Sequence, residues 1–598
     1  MLKEPELFSD CLESIVVGIH MELLSKALLS MKWEELWDRD LDDWALCQLA
    51  HIGGEAGLRL FTQNICRGRQ RSQTGDRRST KTIRAKQPRR RRRRRRIERP
   101  PRHRSLNPIE YAFKTNQQKD KLNDPSQLVS LTSTVRSFSR ADFTFDRVIK
   151  TTTSICPECL QKIDADVVEK DSRVYMLKTC KDHGDFSALL ASDVRHYYVA
   201  DPAVEQVACC CGPSQHCGDQ VENHSCNMLI EITQSCNLTC PTCYAGSSPQ
   251  NKSFMSIEKF EETLDGLLEM GKGEADLIQL SGGEPTIHPD FFAMLQMAID
   301  KGIKQVYINT NGLLLAKSDF ADRIAKHGPK VSVYLQFDGF KPGTYELLRG
   351  RDLTATKQKA IDNCERLGIN TVPIMTLTRG INHDEVGEFI QFATSKTRSI
   401  RKVMIQPAMY SGRYDNPMLD DRLTLADVAK LIVEQTDGVF CEDDFTPIPC
   451  SDPNCFSMAA AVRTKDGLTP LSRYLPKYSE WAEEGISQLI ATVSDTFDSA
   501  GSLGDLLQKV MGSSAVANME EEAVDRLLGL VASLPSDLGT HQSEDWNSLF
   551  AIGIKPFMDA YTYDQDRIDK CCVHIISAEG KPVSFCEYNA INRPTGNL

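Results

Sequence analysis

The chain has 598 residues, 21 of them cysteine, and a formal net charge of −11. That length allows three or four separate cores. The cysteines fall in short groups, and the chain opens on "MLKEPELFSD" rather than on a basic and apolar signal segment, so a disulfide-stapled secreted protein is excluded in favour of a cytoplasmic, metal-binding one.

The first 140 residues read as a leader. Their most apolar stretch, 13–31, is broken by Glu13, His20, Glu22 and Lys26 and is no membrane span. Residues 67–104 hold 19 Lys and Arg against 2 acids, a net of +17 that leaves −28 for the remainder. Such a segment cannot bury a core and is predicted to be disordered. Its bland reading is a dispensable extension. The functional one is a basic arm for an anionic membrane surface, an acidic partner or nucleic acid. Nucleic acid is not expected among the partners, because the arm lacks the interleaved aromatics of single-strand binders. Cys11, Cys47, Cys66 and, further on, Cys364 read as small buried apolar residues.

Residues 145–205 change character. Cys156-x2-Cys159 and Cys180-x2-His183 are two knuckles joined by β-rich chain, which is the pattern of a ribbon holding one tetrahedral ion. Zinc is the default ion, and iron would suit an all-thiolate set. The fourth ligand is either His183 or one of Cys209, Cys210 and Cys211. Those three, with Cys217 and Cys226, form a cysteine-rich connector over 206–226.

From 227 to 410 strand and helix patterns alternate. "NMLIEIT", "DLIQL", "KQVYIN", "VSVYLQFD", "NTVPIMT" and "KVMIQP" are six apolar runs separated by helical periodicity. Six β/α units imply an α/β fold with a parallel sheet, curved into a partial barrel or doubly wound. Ligands of such sheets sit at the C-terminal strand ends. There the first strand is followed by Cys236-x3-Cys240-x2-Cys243, the second by "SGGEP" (281–285) and the third by "NTNG" (309–312). Three thiolates can hold three irons of a four-iron cluster and leave the fourth iron open. A zinc site borrowing a distant cysteine is the plainer alternative. The C-terminal part, 411–598, carries Cys450, Cys455, Cys571, Cys572 and Cys586 around a helical insertion at about 474–560.

The cysteine loop and the Gly-Gly-Glu-Pro turn resemble the radical S-adenosylmethionine (SAM) superfamily over 226–410. The resemblance implies a (β/α)6 TIM-like partial barrel in which SAM chelates the open iron of a 4Fe-4S cluster. It also implies reductive cleavage to a 5′-deoxyadenosyl radical, which abstracts hydrogen from an unactivated carbon. Gly282, Gly283, Glu284 and Pro285 would cradle the methionine amino group. Asn309 and Asn311 would lie near the ribose or carboxylate, and Gln336, Asp338 and Gln406 would line the later strand ends. Thr242 stands where many members carry an aromatic, and Tyr244 follows instead.

Over 150–598 the ribbon and the C-terminal cysteines resemble a narrower branch, that of the tetraether lipid synthases and the methanopterin-biosynthesis methylases. It implies a rubredoxin-like mononuclear iron or zinc site, one or two auxiliary 4Fe-4S clusters, and a flavodoxin- or ferredoxin-type electron donor. The expected reaction is C–C bond formation or methylation on a lipid chain or a pterin-like small molecule. A lipid requires a long apolar channel and a pterin a compact polar pocket. A peptide maturase is a second reading. A non-enzymatic iron–sulfur or nucleic-acid-binding protein, suggested by the arginine run, is a third from another class.

Overall fold

Four strands come first in the chain: β1 (Arg147–Ile155), β2 (Lys162–Lys170), β3 (Arg173–Cys180) and β4 (Gly184–Ala191). They pair antiparallel in the order β1-β2-β3-β4. Asp171 and Ser172 alone connect β2 to β3, both at positive φ (51° and 59°), as a two-residue turn matched to right-handed strand twist requires. The two β-rich stretches expected between the knuckles are thus β2 and β3, the middle pair of a four-stranded sheet.

The computed structural model describes residues 139–198, 225–271, 275–414, 422–448, 451–464, 467–472 and 549–596. The arginine-rich leader, Cys209, Cys210, Cys211, Cys217 and Cys450 lie outside the described residues, as does most of the helical insertion. Among the described residues no helix is long and apolar enough to cross a membrane.

The six apolar runs are six parallel strands: β5 (Asn227–Thr233), β6 (Leu277–Gly282), β7 (Gln305–Thr310), β8 (Val331–Gln336), β9 (Thr371–Leu377) and β10 (Lys402–Pro407). Helices between them include α1 (Ile257–Met270), α2 (Phe291–Asp300), α3 (Ser318–Ala325), α4 (Pro342–Arg349), α5 (Thr354–Leu367) and α6 (Val386–Thr394). Side chains alternate across each strand. Ile230, Ile278, Leu280, Val306, Ile308, Val333, Leu335 and Val403 join the helices' apolar faces in one core. The alternate positions, Leu229, Gln279, Tyr307, Tyr334, Ile374 and Met404, face a cavity. Every strand is thereby covered on one face by helices while the other lines a site, as parallel sheets demand.

The C-terminal part is built into this sheet. After α7 (Leu425–Gln435) come β11 (Thr446–Pro447), β12 (Ser457–Thr464), β13 (Gly467–Pro470), β14 (Leu549–Ile554), the short α8 (Gln565–Asp569), β15 (Val573–Ile576) and β16 (Pro582–Ser584). β14 runs parallel beside β10 and β15 parallel beside β5, so eight parallel strands stand in the order β14-β10-β9-β8-β7-β6-β5-β15. Leu549–Ile554 falls inside the span 474–560 read as helical and is a strand instead. "LFAIGI" is a continuous apolar run that periodicity cannot assign. All six residues are buried between β10 and β12, and that slot decides the conformation.

Loops after β10 and β14 are locked by a buried ion pair. Arg422 Nη2 donates to Asp559 Oδ2 at 2.9 Å, with Asp559 fully buried. The same carboxylate accepts from the backbone N–H groups of Tyr410, Tyr561 and Thr562. Breaking such a pair leaves a buried charge unpaired, which costs about 3–5 kcal/mol. Arg422→Ala should therefore lower the urea midpoint of the intact protein by a corresponding amount; a midpoint within error of wild type would refute the lock.

Candidate active site and metal centres

The Gly-Gly-Glu turn after β6 ties the first three strand ends together. Gly283 N–H donates to Thr233 O (2.7 Å) and Glu284 N–H to Ser235 O (2.9 Å), reaching the start of the cysteine loop. A Cβ on Gly282 would lie 2.0 Å from Thr233 O, and one on Gly283 2.1 Å from Ser235 O. Only glycine permits that approach. The Glu284 carboxylate accepts from Thr286 N–H and Oγ1, from Thr310 Oγ1 (2.7 Å) and from Asn311 N–H (2.7 Å). It is 1% exposed, and burial pushes its carboxyl up against those four donors.

The cysteine loop is clamped from the far side of the sheet. Arg413, just beyond β10, donates from Nε to Cys240 O (3.0 Å), from Nη1 to Gly246 O (2.7 Å) and from Nη2 to Ser247 O (2.7 Å). Its own N–H reaches Cys243 O at 3.0 Å. Gly412 precedes it at φ +64°, where a Cβ would stand 2.2 Å from Tyr244 O. Neither residue stood out in the sequence. The one available signal was a Gly-Arg pair in a loop at a strand's C-terminal end. Thr242 Oγ1 donates to Leu348 O, at the end of α4 (2.9 Å). Tyr244 packs edge-on to Phe585 at 5.6 Å. Burial pushes the Cys236 thiol up to about 12 and also raises Cys240, so these sulfurs become thiolates only when a cation takes them.

Cys236, Cys240 and Cys243 open onto a cavity of about 740 Å3 inside the sheet. Gly282, Gly283, Glu284, Asn309, Asn311, Gln336 and Gln406 line it. Pro285 and Asp338 do not. Pro285 is buried at the first position of a one-turn helix. Asp338 is fully buried and held by both Nε and Nη2 of Arg349 at 2.7 Å, so Arg349, rather than Asp338, lines the cavity. The turn after β8 commits the carboxylate to Arg349 of α4 and to the Thr376 N–H at the end of β9. Asn311 Nδ2 donates to Asn237 Oδ1 (2.7 Å), and Gln336 donates to Asp338 while accepting from the buried Lys357 ammonium.

In the ribbon, Cys156, Cys159, Cys180 and His183 bring their ligand atoms within 4.8 Å of one another. His183 Nδ1 lies 3.6 Å from Cys156 Sγ and 3.4 Å from Cys180 Sγ, and Cys159 and Cys180 Sγ are 4.0 Å apart. A zinc tetrahedron has edges of about 3.8 Å between sulfurs and about 3.5 Å from sulfur to nitrogen, given its usual bond lengths. The four donors fit that ion. Asp193, His196 and Glu442 also converge. Arg195 and Lys430 already neutralise Asp193 at 2.7 and 3.0 Å, so this group is an ion-pair network.

Cys571 and Cys572 lie at the other end of β5. Val573 registers with Asn227, which sets Cys572 beside Cys226, about 20 Å along the strand from the cysteine loop. Cys226 and Cys572 line the same cavity. Cys455 accepts from Nε and Nη2 of Arg567, both at 3.4 Å, and Cys586 from the Met558 N–H at 3.4 Å. Burial works against a charge on Lys555, yet the neighbouring sulfurs Cys572, Cys455, Cys571 and Cys586 outweigh it and raise its pKa. These sulfurs, like Cys236, Cys240 and Cys243, do not converge as tightly as the ribbon donors. A cluster of several irons is wider than one ion and spreads its ligands accordingly.

Residues 230–393 match the model of the radical SAM superfamily, and residues 148–192 match the HMPTM N-terminal zinc ribbon domain. The 7,8-dihydro-6-hydroxymethylpterin dimethyltransferase of Methanocaldococcus jannaschii is 30% identical over 482 residues, covering 74% of this chain and 94% of that protein. The GTP 3′,8-cyclase of Alkaliphilus oremlandii is 32% identical over 184 residues, 30% of this chain and 56% of the cyclase. Among solved structures, Streptococcus suis SuiB bound to S-adenosylmethionine matches at 18% identity, with a TM-score of 0.31, over 36% of this chain and 48% of that one.

Removing the clamp should loosen the loop without unfolding the sheet. Arg413→Ala, reconstituted anaerobically, is expected to melt near the wild-type temperature and to lose iron in gel filtration several times faster than wild type. Iron retention equal to wild type would show that the clamp is dispensable.

Proposed function

Because the chain belongs to the radical SAM superfamily, in the family that includes the M. jannaschii pterin dimethyltransferase, we propose that it methylates a pterin-like small molecule. One observation carries this reading: the likeness runs through 94% of that relative's length, and the ribbon matches the HMPTM N-terminal zinc ribbon domain as well. The enzyme class itself removes the reading as a non-enzymatic iron–sulfur or nucleic-acid-binding protein. The cavity supports a heterocycle over a lipid chain. Its volume of about 740 Å3 falls in the ~300–1,000 Å3 range of small-molecule sites, and amide side chains line it.

In this reading Cys236, Cys240 and Cys243 hold the 4Fe-4S cluster, which when bound supplies the electron that cleaves SAM. Gly282 and Gly283 offer bare backbone to the methionine end. Asn311 and Gln406 orient the nucleoside, and Arg349, paired with Asp338, lines the same wall. The sheet and its C-terminal strands exclude water. Cys156, Cys159, Cys180 and His183 hold a zinc ion that staples the ribbon. Cys455, Cys571, Cys572 and Cys586, with Cys450 or Cys226 in reserve, hold an auxiliary cluster, and Cys209, Cys210, Cys211 and Cys217 offer ligands for a second. A cytoplasmic flavodoxin or ferredoxin supplies electrons, and the basic leader is the part suited to a peripheral membrane contact.

Two experiments test the reading. Anaerobically reconstituted protein with a strong reductant, SAM and 7,8-dihydro-6-hydroxymethylpterin should release 5′-deoxyadenosine and methionine from one SAM and a methylated pterin, its methyl drawn from a second SAM that leaves as S-adenosylhomocysteine, all followed by mass spectrometry. Changing Cys236, Cys240 and Cys243 together to Ala should abolish 5′-deoxyadenosine and the methylated pterin while one zinc per chain remains. Cleavage surviving in that variant, or an unmethylated pterin with wild type, would count against it. Cys586→Ala should lower iron by about one four-iron cluster and stop methylation while SAM cleavage persists; unchanged iron would make Cys586 an ordinary thiol.

A further inference from the structure

The cavity wall carries a cation that the SAM-binding residues leave unexplained. Lys555 follows β14 directly, and its N–H donates to Ile405 O at 3.0 Å. It stands one step beyond the Ile405–Ile554 pair, level with Gln406 at the strand ends. The residue lines the cavity and is only partly buried. Among the described residues its ammonium meets neither a carboxylate nor a hydrogen-bond acceptor, and it is not sealed from the cavity. Its neighbours are two aromatic rings, those of Phe456 and Phe557, each with its centroid 5.5 Å from Nζ. Burial works against its charge, but the sulfurs of Cys572, Cys455, Cys571 and Cys586 outweigh that and keep it protonated.

An ammonium carries three donors. The ring faces attract its charge yet give its N–H groups no oxygen, and a charge withdrawn from water without one is costly. Around it the cavity keeps open apolar surface, since Ile374, Ile448, Met458 and Phe557 are only partly buried. These features describe a ligand with apolar faces and an acceptor oxygen at one edge. A phosphate, with a charge of about −1.5 to −2, needs several donors where the apolar wall offers this one ammonium. A hydrocarbon chain suits the apolar surface and leaves the ammonium empty. A heterocycle with a ring carbonyl satisfies both. The carboxylate of SAM is a poorer candidate, because the glycine turn assigned to its methionine end follows β6, five strands from β14 in the sheet.

We infer that Lys555 recognises the substrate's heterocycle, its ammonium donating to a ring carbonyl oxygen while the ring packs on the apolar surface beside it. This rests on the reading of the enzyme as a methyltransferase of pterin-like molecules, and it adds the residue that selects the ring. A pterin carries one such oxygen on an otherwise flat bicyclic ring, so a single ammonium suffices to fix which edge of the ring faces β14.

The test is equilibrium binding of 7,8-dihydro-6-hydroxymethylpterin to the anaerobic holoenzyme, followed by pterin fluorescence. Lys555→Met, which keeps the length and removes the charge, should weaken binding at least about tenfold, the loss expected for one hydrogen bond from a charged donor. Lys555→Arg should restore most of it. Iron content and SAM affinity should match wild type in both variants. The 2,4-diamino analogue of the same pterin, with an amino group in place of the ring oxygen, should bind wild type at least about tenfold more weakly and lose nothing further in Lys555→Met. That comparison on wild type serves if the methionine variant fails to fold. Wild-type pterin affinity in Lys555→Met, or equal affinity of wild type for the pterin and its diamino analogue, overturns the assignment while leaving the methyltransferase reading intact. Loss of pterin binding only together with iron would also overturn it, since Lys555 would then serve the sulfurs rather than the substrate. If wild type ignores the pterin, that reading falls and guanosine, which has a ring carbonyl, tests Lys555 alone: guanosine binding lost in Lys555→Met sustains the assignment, and binding of neither heterocycle by wild type overturns it.

Discussion

Everything at the site depends on one close approach, the backbone of Gly282 and Gly283 against Thr233 and Ser235. Two hydrogen bonds of 2.7 and 2.9 Å run from the turn to those carbonyls, and no side chain could lie between them. Glu284 then passes the constraint to the third strand through Thr310 and Asn311. A carboxylate with four donors in a dry site is stiff, since any movement would leave a buried charge or donor unpaired. The cysteine loop begins at Ser235, so its position inherits that stiffness.

The loop's far end is governed by another part of the chain. Arg413 bonds three carbonyls of it, a planar fork filling three acceptors at once. The cysteines are therefore held between the second strand's turn and the loop after the sixth. The C-terminal strands complete the enclosure. β15 carries Cys571 and Cys572 to the edge beside β5, and Phe585, next to Cys586, meets Tyr244, next to Cys243. Two separate sulfur groups are thus linked through one ring contact, 5.6 Å between centroids.

Much of this was legible because it is local. The alternation of "KQVYIN" and "VSVYLQ" announced strands with two unlike faces, and knuckle spacing announced the ribbon donors. Turns were legible where glycine or a cysteine pair leaves few other readings. Asp338 and Pro285 do not line the cavity because the turns after β8 and β6 commit them elsewhere, Asp338 to Arg349 and the Thr376 N–H and Pro285 to the buried start of a one-turn helix. Leu549–Ile554 misled because a six-residue apolar run suits a strand or a buried helix equally. His183 was one of two options until β3 and β4 brought its ring to 3.4 Å from Cys180.

By itself the sequence determined the class of chemistry: three thiolates on one loop, a glycine turn beside it, and six strands to present both. Those features depend on residues a few positions apart, where spacing and backbone geometry leave little freedom. The tertiary structure alone decided which charges and rings share the cavity. Arg413 reaches Cys240 across 173 positions, and Cys226 lies beside Cys572 through strand pairing. Tyr307 meets Tyr334 diagonally because β7 and β8 are neighbours, its direct partner across the pair being Ser332. Contacts of that range depend on how strands order and curve, which is settled by burial of the whole sheet rather than by any one segment.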